Sequence, residues 1–461
     1  MKKVLALSLT ALLFVPAIPA EATPESTFGR MFAIVKKNAN SGALTPLNQQ
    51  TNEQLAKLVQ GMQEGAATNN PDGTMAGITF FGQFIDHDLT LDTEPLPAGP
   101  VNVEGLLNAR SFPFDLDSVY GGGPEKSPQL YDGDKFKIGK AADGTSPDLP
   151  RIQTGDDAGT AILVEHRNDE NLIIAQMHLA ILRLHNNLID KGMSFDKARE
   201  TVVNAYRYVV LNDYLPQIVG PDTGVVKTAL DTDRNAGFFK PGSQDHPMTP
   251  VEFAAAAFRF GHSQVRNAYQ LNEAANPAVR VFSLNPAVPD LRGGRQLPQN
   301  LIIDFDNFFS ELPQDGGPVM VGRAIDTKIS PSLFELPIPG AEATGSNVLA
   351  FRNLVRGKFY DLPSGEAIAG AMGVPVPQEI LDNPAFPGQG TPLWFYVLRE
   401  PEVTSGGGHL GPVGGGIVAE VIVDLLQLKS GTNKIAKPDL PDVSGGDFRI
   451  GDLMVAADQL R

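Results

Sequence analysis

A chain of 461 residues with no cysteine and a net charge of −16 excludes thiolate metal sites, cysteine nucleophiles and disulfides, so the hydrophobic core must carry the fold. Such an acidic balance also argues against nucleic acid or an anionic membrane surface as partner, since both require a basic patch. Length alone would suggest two or three domains, yet no repeat, low-complexity stretch or clean linker divides the sequence.

Residues 1–22 open with two lysines, run apolar from Val4 to Ile18 and close on Pro19-Ala20-Glu21-Ala22, the pattern of a cleavable export signal. The run is shorter than the roughly 20 residues of a spanning helix. No later stretch is apolar enough to span either, so a soluble secreted chain, extracellular or periplasmic, is expected over residues 23–461. An amphipathic helix is predicted near Glu53 to Gln63, followed by a polar turn at Asn69 to Gly73. Asn171 to Asp190 is apolar nearly all round, as a helix inside a large domain reads, and Ala198 to Val219 looks like its neighbour. Thr249-Pro250-Val251-Glu252 has the form of a capping box with proline at the first helical position, which puts the run Ala254 to His262 in one helix. Proline and glycine are dense from Leu271 to Leu349, where long excursions are expected, and Gly414 to Lys429 is a further apolar helix.

Three patches carry chemistry. Phe80 to Asp92 reads FFGQFIDHDLTLD, with two acids flanking a histidine in apolar surroundings. As a helix it puts Gln83 and His87 on one face, where an amide and an imidazole can hold a small polar molecule and move its proton. Taken alone, a buried helix with a merely hydrogen-bonded histidine fits the segment at least as well. Asp86 and Asp88 are harder to dismiss, because carboxylates are rarely buried unless paired or bound to metal.

Ser111 to Gly121 reads SFPFDLDSVYG; an extended loop would turn positions 111, 113, 115 and 117 to one side, giving a hydroxyl, a carbonyl and two carboxylates. Such hard oxygen donors suit Ca²⁺, though a solvated turn with capping aspartates fits the spacing equally. The third patch, Glu165 to Asn171 with HRNDEN from His166, puts Arg167 and Glu170 on one face, an arrangement that a surface ion pair would also give.

In this order the three patches resemble the distal-haem motif, the calcium loop and the catalytic-arginine segment of the animal-type haem peroxidase superfamily. AFRFGH at Ala257 to His262 resembles its proximal-histidine helix, and RNLVR at Arg352 to Arg356 with Leu362-Pro363 its proximal asparagine motif. The resemblance runs from about Phe28 to Leu428, and five motifs in the right order make it specific. It implies a mainly α fold, one large helical peroxidase domain with long loops and little β structure.

It further implies an enzyme: a haem peroxidase that reduces hydrogen peroxide, with a link to oxidative stress, and oxidises halides, thiocyanate or small aromatic donors. Matched by position, His87 is the distal acid and base, Gln83 its neighbour and Arg167 the catalytic arginine. His262 is the iron ligand of haem b and Asn353 takes its second ring proton. Arg259 and Arg356 fall near the propionates, and Asp86 and Glu170 match the acids esterified to haem methyls. Asp88, Ser111, Pro113 (carbonyl), Asp115 and Asp117 match the Ca²⁺ ligands.

The sequence departs from the pattern at Asn171, where myeloperoxidase has a methionine that makes a third haem link, so oxidation of chloride is expected to be weak. Ser111 and Asp117 also differ in kind from common family residues, but each keeps an oxygen. A fatty-acid oxygenase of the cyclooxygenase type shares the fold, but it needs a tyrosine three residues before the proximal histidine, and that position is Arg259. A non-catalytic calcium-dependent adhesion protein would not need Gln83, His87, Arg167 and His262 together. The other histidines, His166, His178, His185, His246 and His409, suggest no role, and His178 and His185 read as satisfied core groups.

Overall fold

The computed structural model describes residues 26–32, 50–92, 96, 98–111, 113–232, 237–285, 287–312, 317, 319–338, 347–431 and 434–460. The expected export segment, residues 1–22, lies outside them. The described residues are mainly helical, and no strand among them exceeds three residues. The expectation of a mainly α architecture with long loops is met, and no helix among them is long and apolar enough to cross a membrane.

The first helix, α1 (Asn52–Gln60), starts at a capping box between Thr51 and Gln54, which satisfies two of the free N–H groups of a helix start. Next comes α2 (Ala76–Leu89), which carries the distal motif and has no side-chain cap. Its first N–H groups are satisfied from outside: Ala76 N donates to Met320 O and Gly77 N to Phe308 O. The long excursion after Leu271 therefore docks the start of α2. Gly82 is required in mid-helix, because a β-carbon there would meet the Tyr214 hydroxyl.

Helix α3 (Leu172–Asp190) is buried along most of its length, as its sequence predicts, and Asn171 caps it through the N–H groups of Ile173 and Ile174. It packs on α2, on α4 (Phe195–Val209) and on the last helix of the chain. The segment expected to run helical to Val219 does so through a π-helical turn at Val210–Tyr214. In the C-terminal half, α5 (Leu349–Phe359) packs on α1 and on α7, while α6 (Gly365–Met372), α7 (Leu393–Thr404) and α8 (Pro412–Ser430) pack on one another. The chain ends in α9 (Ile450–Gln459), laid against α3.

Two expectations around the proximal histidine fail. Thr249 is not a cap: it pairs in a short parallel ladder, β1 (Thr27–Gly29) with β2 (Met248–Pro250), and Pro250 precedes the helix. The Glu252 carboxylate accepts from Met31 N and Phe32 N at 3.0 and 3.4 Å instead of closing a capping box. Nor is Ala254 to His262 one helix. A helical turn at Val251–Ala254 breaks at Ala256 (φ −137°, ψ −74°), a 3₁₀ turn follows over Ala257–Phe260, and Gly261–Gln264 carries His262. Alanine favours an unbroken helix, so tertiary packing of the buried Ala254 to Phe258 stretch overrides local preference.

Helix α8 starts at a proline and takes its cap from α7: the buried Glu400 carboxylate accepts from Val413 N and Gly414 N. Burial pushes Glu400 up to about 7. Because the folded-state value lies above the unfolded one of about 4.5, this carboxyl contributes fully below about pH 4.5 and loses its contribution as pH rises through 7. Glu400→Gln keeps an acceptor but cannot ionise. Denaturant melts should find it as stable as the parent at pH 5 and more stable by roughly 1–3 kcal/mol at pH 8.5. Equal differences at both pH values would contradict the assignment.

Candidate functional site

Gln83, Asp86 and His87 come from α2, Arg167 and Glu170 from the turn that leads into α3, and Arg259 and His262 from the broken segment after β2. Asn353 and Arg356 come from α5. Gln83, Asp86, Arg167, Arg259, His262 and Arg356 are partly open to solvent, and Glu170 is more so. Their mutual electrostatics bring them near one another: Arg259 feels Arg356, Asp86 and Arg167, and His87 feels Arg167 and Asp86.

On the α2 side, the His87 ring is buried and its Nδ1 lies 2.8 Å from Asn168 Oδ1. Nδ1 therefore carries the proton and Nε2 keeps its lone pair. Burial, reinforced by Arg167, lowers His87 to about 4, so the ring is neutral near neutral pH. Gln83 donates to Glu170 and accepts from Asn171 Nδ2 at 3.2 Å. Burial pushes Glu170 up to about 7 against the pull of Arg167. Asp86 accepts from Thr90 Oγ1 at 3.1 Å.

Arg167 does not pair with Glu170, as the face-sharing argument allowed. Its guanidinium grips Glu165 with two hydrogen bonds of 2.9 Å, a bidentate form that fixes geometry as well as charge. Burial would raise Glu165, but Arg167 and Arg110 hold its carboxyl well below the usual range. Glu165 was visible in the sequence only as a neighbour of the motif; its reach back to Arg167 depends on the 3₁₀ turn His166–Asp169.

In the segment after β2, His262 Nδ1 lies 2.8 Å from Asn353 Nδ2. The amide donates here, which leaves the ring proton on Nε2. Iron coordination through Nε2 would move that proton to Nδ1 and turn the amide end for end, so that Asn353 accepts. Arg259 is lowered to about 10 by burial and by the nearby Arg356 and Arg167. Crowded guanidiniums of this kind suit the carboxylates of a ligand. Arg356 also pairs with Asp92 at 2.7 Å.

The second cluster lies behind His87. Carboxylate oxygens of Asp88, Asp115 and Asp117 all lie within 4.8 Å of one another. Ser111 Oγ is 3.3 Å from Asp115 Oδ2, and Ser111 N donates to Asp117 Oδ2 at 2.9 Å. Pro113 is buried in the same loop. The loop is not extended, contrary to the alternation argument: Phe114 and Leu116 are left-handed, at φ 60° and 56°. Asp115 and Asp117 reach Asp88 through these two residues and not by alternation.

Asp88 is fully buried; Ser118 donates to one oxygen at 2.8 Å and the other, Oδ2, has no partner. Burial and its two acidic neighbours push its carboxyl well up. An orphaned buried oxygen among converging carboxylates is the donor set of a hard cation.

Of the histidines given no role, His185 is a satisfied core group, with Tyr120 and Asp134 O as partners. His178 is not: its Nδ1 receives Asn168 Nδ2 at 3.0 Å and its Nε2 has no partner. Neither Asn168 nor His178 carries a local sequence signal.

The family model for animal haem peroxidases matches residues 97–290, a span that includes Arg167 and His262 and stops short of His87 and Asn353. A peroxidase-like protein of Margaritifera margaritifera is 25% identical over 280 residues, 46% of this chain and 34% of that protein. Thyroid peroxidase of Mus musculus is 29% identical over 319 residues, 64% of this chain and 30% of that one. The chain spans 16–36% of the length of the curated relatives it matches.

Among solved structures, peroxidase A of Dictyostelium discoideum shares the fold with a TM-score of 0.60 at 17% identity, covering 89% of this chain and 88% of that one. A fatty acid alpha-dioxygenase of Oryza sativa does so with 0.53 at 14%, covering 88% and 82%. The family match over residues 97–290 and the peroxidase relatives support the animal haem peroxidase superfamily, and the solved structures share its fold.

Proposed function

We propose that the chain is a secreted haem peroxidase that reduces hydrogen peroxide and oxidises halides, thiocyanate or small aromatic donors. The observation that carries this reading is the His87 ring: buried, neutral and hydrogen-bonded through Nδ1 to Asn168, with Arg167 and Asp86 beside it. The residues gathered here suit haem b. Two crowded arginines, Arg259 and Arg356, suit the propionates, His262 would hold the iron and Asn353 would orient its ring. When bound, the haem supplies the iron that receives a peroxide oxygen and the oxidising equivalents passed to the donor.

His87 Nε2 accepts the proton of the bound peroxide oxygen and returns it to the departing one, the work of a general base and then acid. Arg167, clamped by Glu165, presents fixed positive charge to the oxygen on which negative charge develops. Gln83, held between Glu170 and Asn171, keeps a polar edge beside His87. The dioxygenase fold match is compatible with an oxygenase, but Arg259 stands where that chemistry needs its tyrosine, as the sequence comparison implies.

Asn171 bears on the donor. It is engaged as the cap of α3 and as a partner of Gln83, and an amide cannot form the sulfur link of its methionine counterpart. Steady-state assays of the haem-loaded protein with each donor should find iodide, thiocyanate, bromide and phenols oxidised, and chloride turned over far more slowly than bromide near neutral pH. No turnover of any of these donors would refute the peroxidase reading, whereas chloride turnover equal to that of bromide would refute only the role given to Asn171.

Asp86 and Glu170 are the carboxyls placed for ester links to the haem rim. A free carboxylate against an apolar ring is costly, and Glu170 raised to about 7 is poised to be neutral. After treatment with peroxide, acidified-solvent extraction should leave haem on the chain, and Asp86→Val with Glu170→Gln should release it. Full extraction from the parent would exclude the links.

A further inference from the structure

We infer that Asn168 and His178 are positioning residues that set the tautomer of His87. The inference rests on His87 being the base that takes the peroxide proton.

Asn168 is fully buried and its amide is shared between two histidines: Oδ1 faces His87 Nδ1 at 2.8 Å and Nδ2 faces His178 Nδ1 at 3.0 Å. An amide has one accepting and one donating end, so the two contacts are not independent. With Oδ1 towards His87, Nδ1 of that ring must carry its proton and Nε2 must present a lone pair. With the amide reversed, Nδ2 would donate to His87, the proton would sit on Nε2, and the neutral ring would have no free lone pair to accept one. His178 Nδ1, as the acceptor of Nδ2, holds the amide in the productive orientation.

Two further observations support the assignment. His178 is buried and has no polar partner other than Asn168. A buried nitrogen left unsatisfied carries a penalty, and a residue kept only to fill space would not incur it. Its ring is set edge-on against Phe84 of α2, with centroids 6.2 Å apart, so packing fixes the direction of Nδ1. Asn168 also lies in the same 3₁₀ turn as Arg167, with its own N–H donating to Glu165 O at 3.0 Å. One short turn thus delivers the guanidinium and, one residue on, the amide that orients the base.

The haem-loaded protein provides the test. Neutron diffraction should locate hydrogen on His87 Nδ1 and none on Nε2, with the Asn168 NH₂ towards His178. In stopped-flow mixing, Asn168→Leu should slow the reaction with peroxide by about 10²-fold, the lower range for loss of a general base, and should slow binding of HCN, which must also give up a proton. KM for the donor should be unchanged. His178→Phe should slow both reactions, and His178→Gln, whose amide oxygen can accept from Asn168, should recover most of the loss. A role in packing alone predicts the reverse order, with Phe better tolerated than Gln.

Hydrogen found on His87 Nε2, or an Asn168→Leu rate within twofold of the parent at full haem content, would overturn the inference. If Asn168→Leu fails to fold, the hydrogen positions and the two His178 variants decide it. Failure of the underlying reading is recognised separately, by a His87→Ala protein that reacts with peroxide as fast as the parent.

Discussion

Replacing His262 by alanine should leave a folded protein that no longer retains haem through gel filtration, while His87→Ala should retain haem and react with hydrogen peroxide about 10²–10⁴ times more slowly. The two effects differ because the two rings have different partners. His262, joined to Asn353 on α5, is the nitrogen placed to hold iron. His87, joined to Asn168, is the nitrogen left free to take a proton. Absorbance of the haem band per protein reports the first loss and stopped-flow mixing with peroxide reports the second. A His87→Ala protein reacting at the parental rate would remove the base from the account, and a His262→Ala protein with an unchanged haem spectrum would remove the ligand.

Removal of calcium is the second large effect expected. Asp88 follows His87 on α2 and converges with Asp115 and Asp117 from the loop ahead of α3. Without a cation, three acids face one another around a buried oxygen that has no partner. A bound Ca²⁺ would neutralise them and tie the C-terminal end of α2 to that loop, and its binding energy would add to stability. With the ion at a hundred to a thousand times its Kd, chelation should lower Tm by roughly 3–5 °C for a chain of this size. It should also slow the peroxide reaction, since the helix that loosens carries His87. Asp88→Ala should reproduce both effects and lose the response to added Ca²⁺. An unchanged melt in excess chelator, with no calcium found by metal analysis, would contradict the site.

What could be read from the sequence follows the range over which each signal acts. The buried helix α3 and the helix that sets Gln83 and His87 one turn apart on α2 rest on periodicity within a few turns, and both helices form. The helix start at Thr249 does not, because Glu252 is drawn off by N–H groups about 220 residues away in sequence. The Ala254 to His262 run breaks at Ala256 for a similar reason, as the buried packing around it outweighs alanine's preference for helix. Asp115 and Asp117 converge on Asp88 through two left-handed residues rather than by alternation. The roles of Glu165, Asn168 and His178 are not legible in the sequence because each acts through contacts made by tertiary structure, and a buried asparagine or histidine has no pattern that separates such contacts from ordinary packing.

If His262 holds haem and His87 serves it as base, mixing the haem-loaded protein with one equivalent of hydrogen peroxide in a stopped-flow spectrophotometer should shift the Soret band within milliseconds, and iodide or a phenol should return it. A protein that takes up no haem, or whose haem band does not respond to peroxide, would contradict this reading.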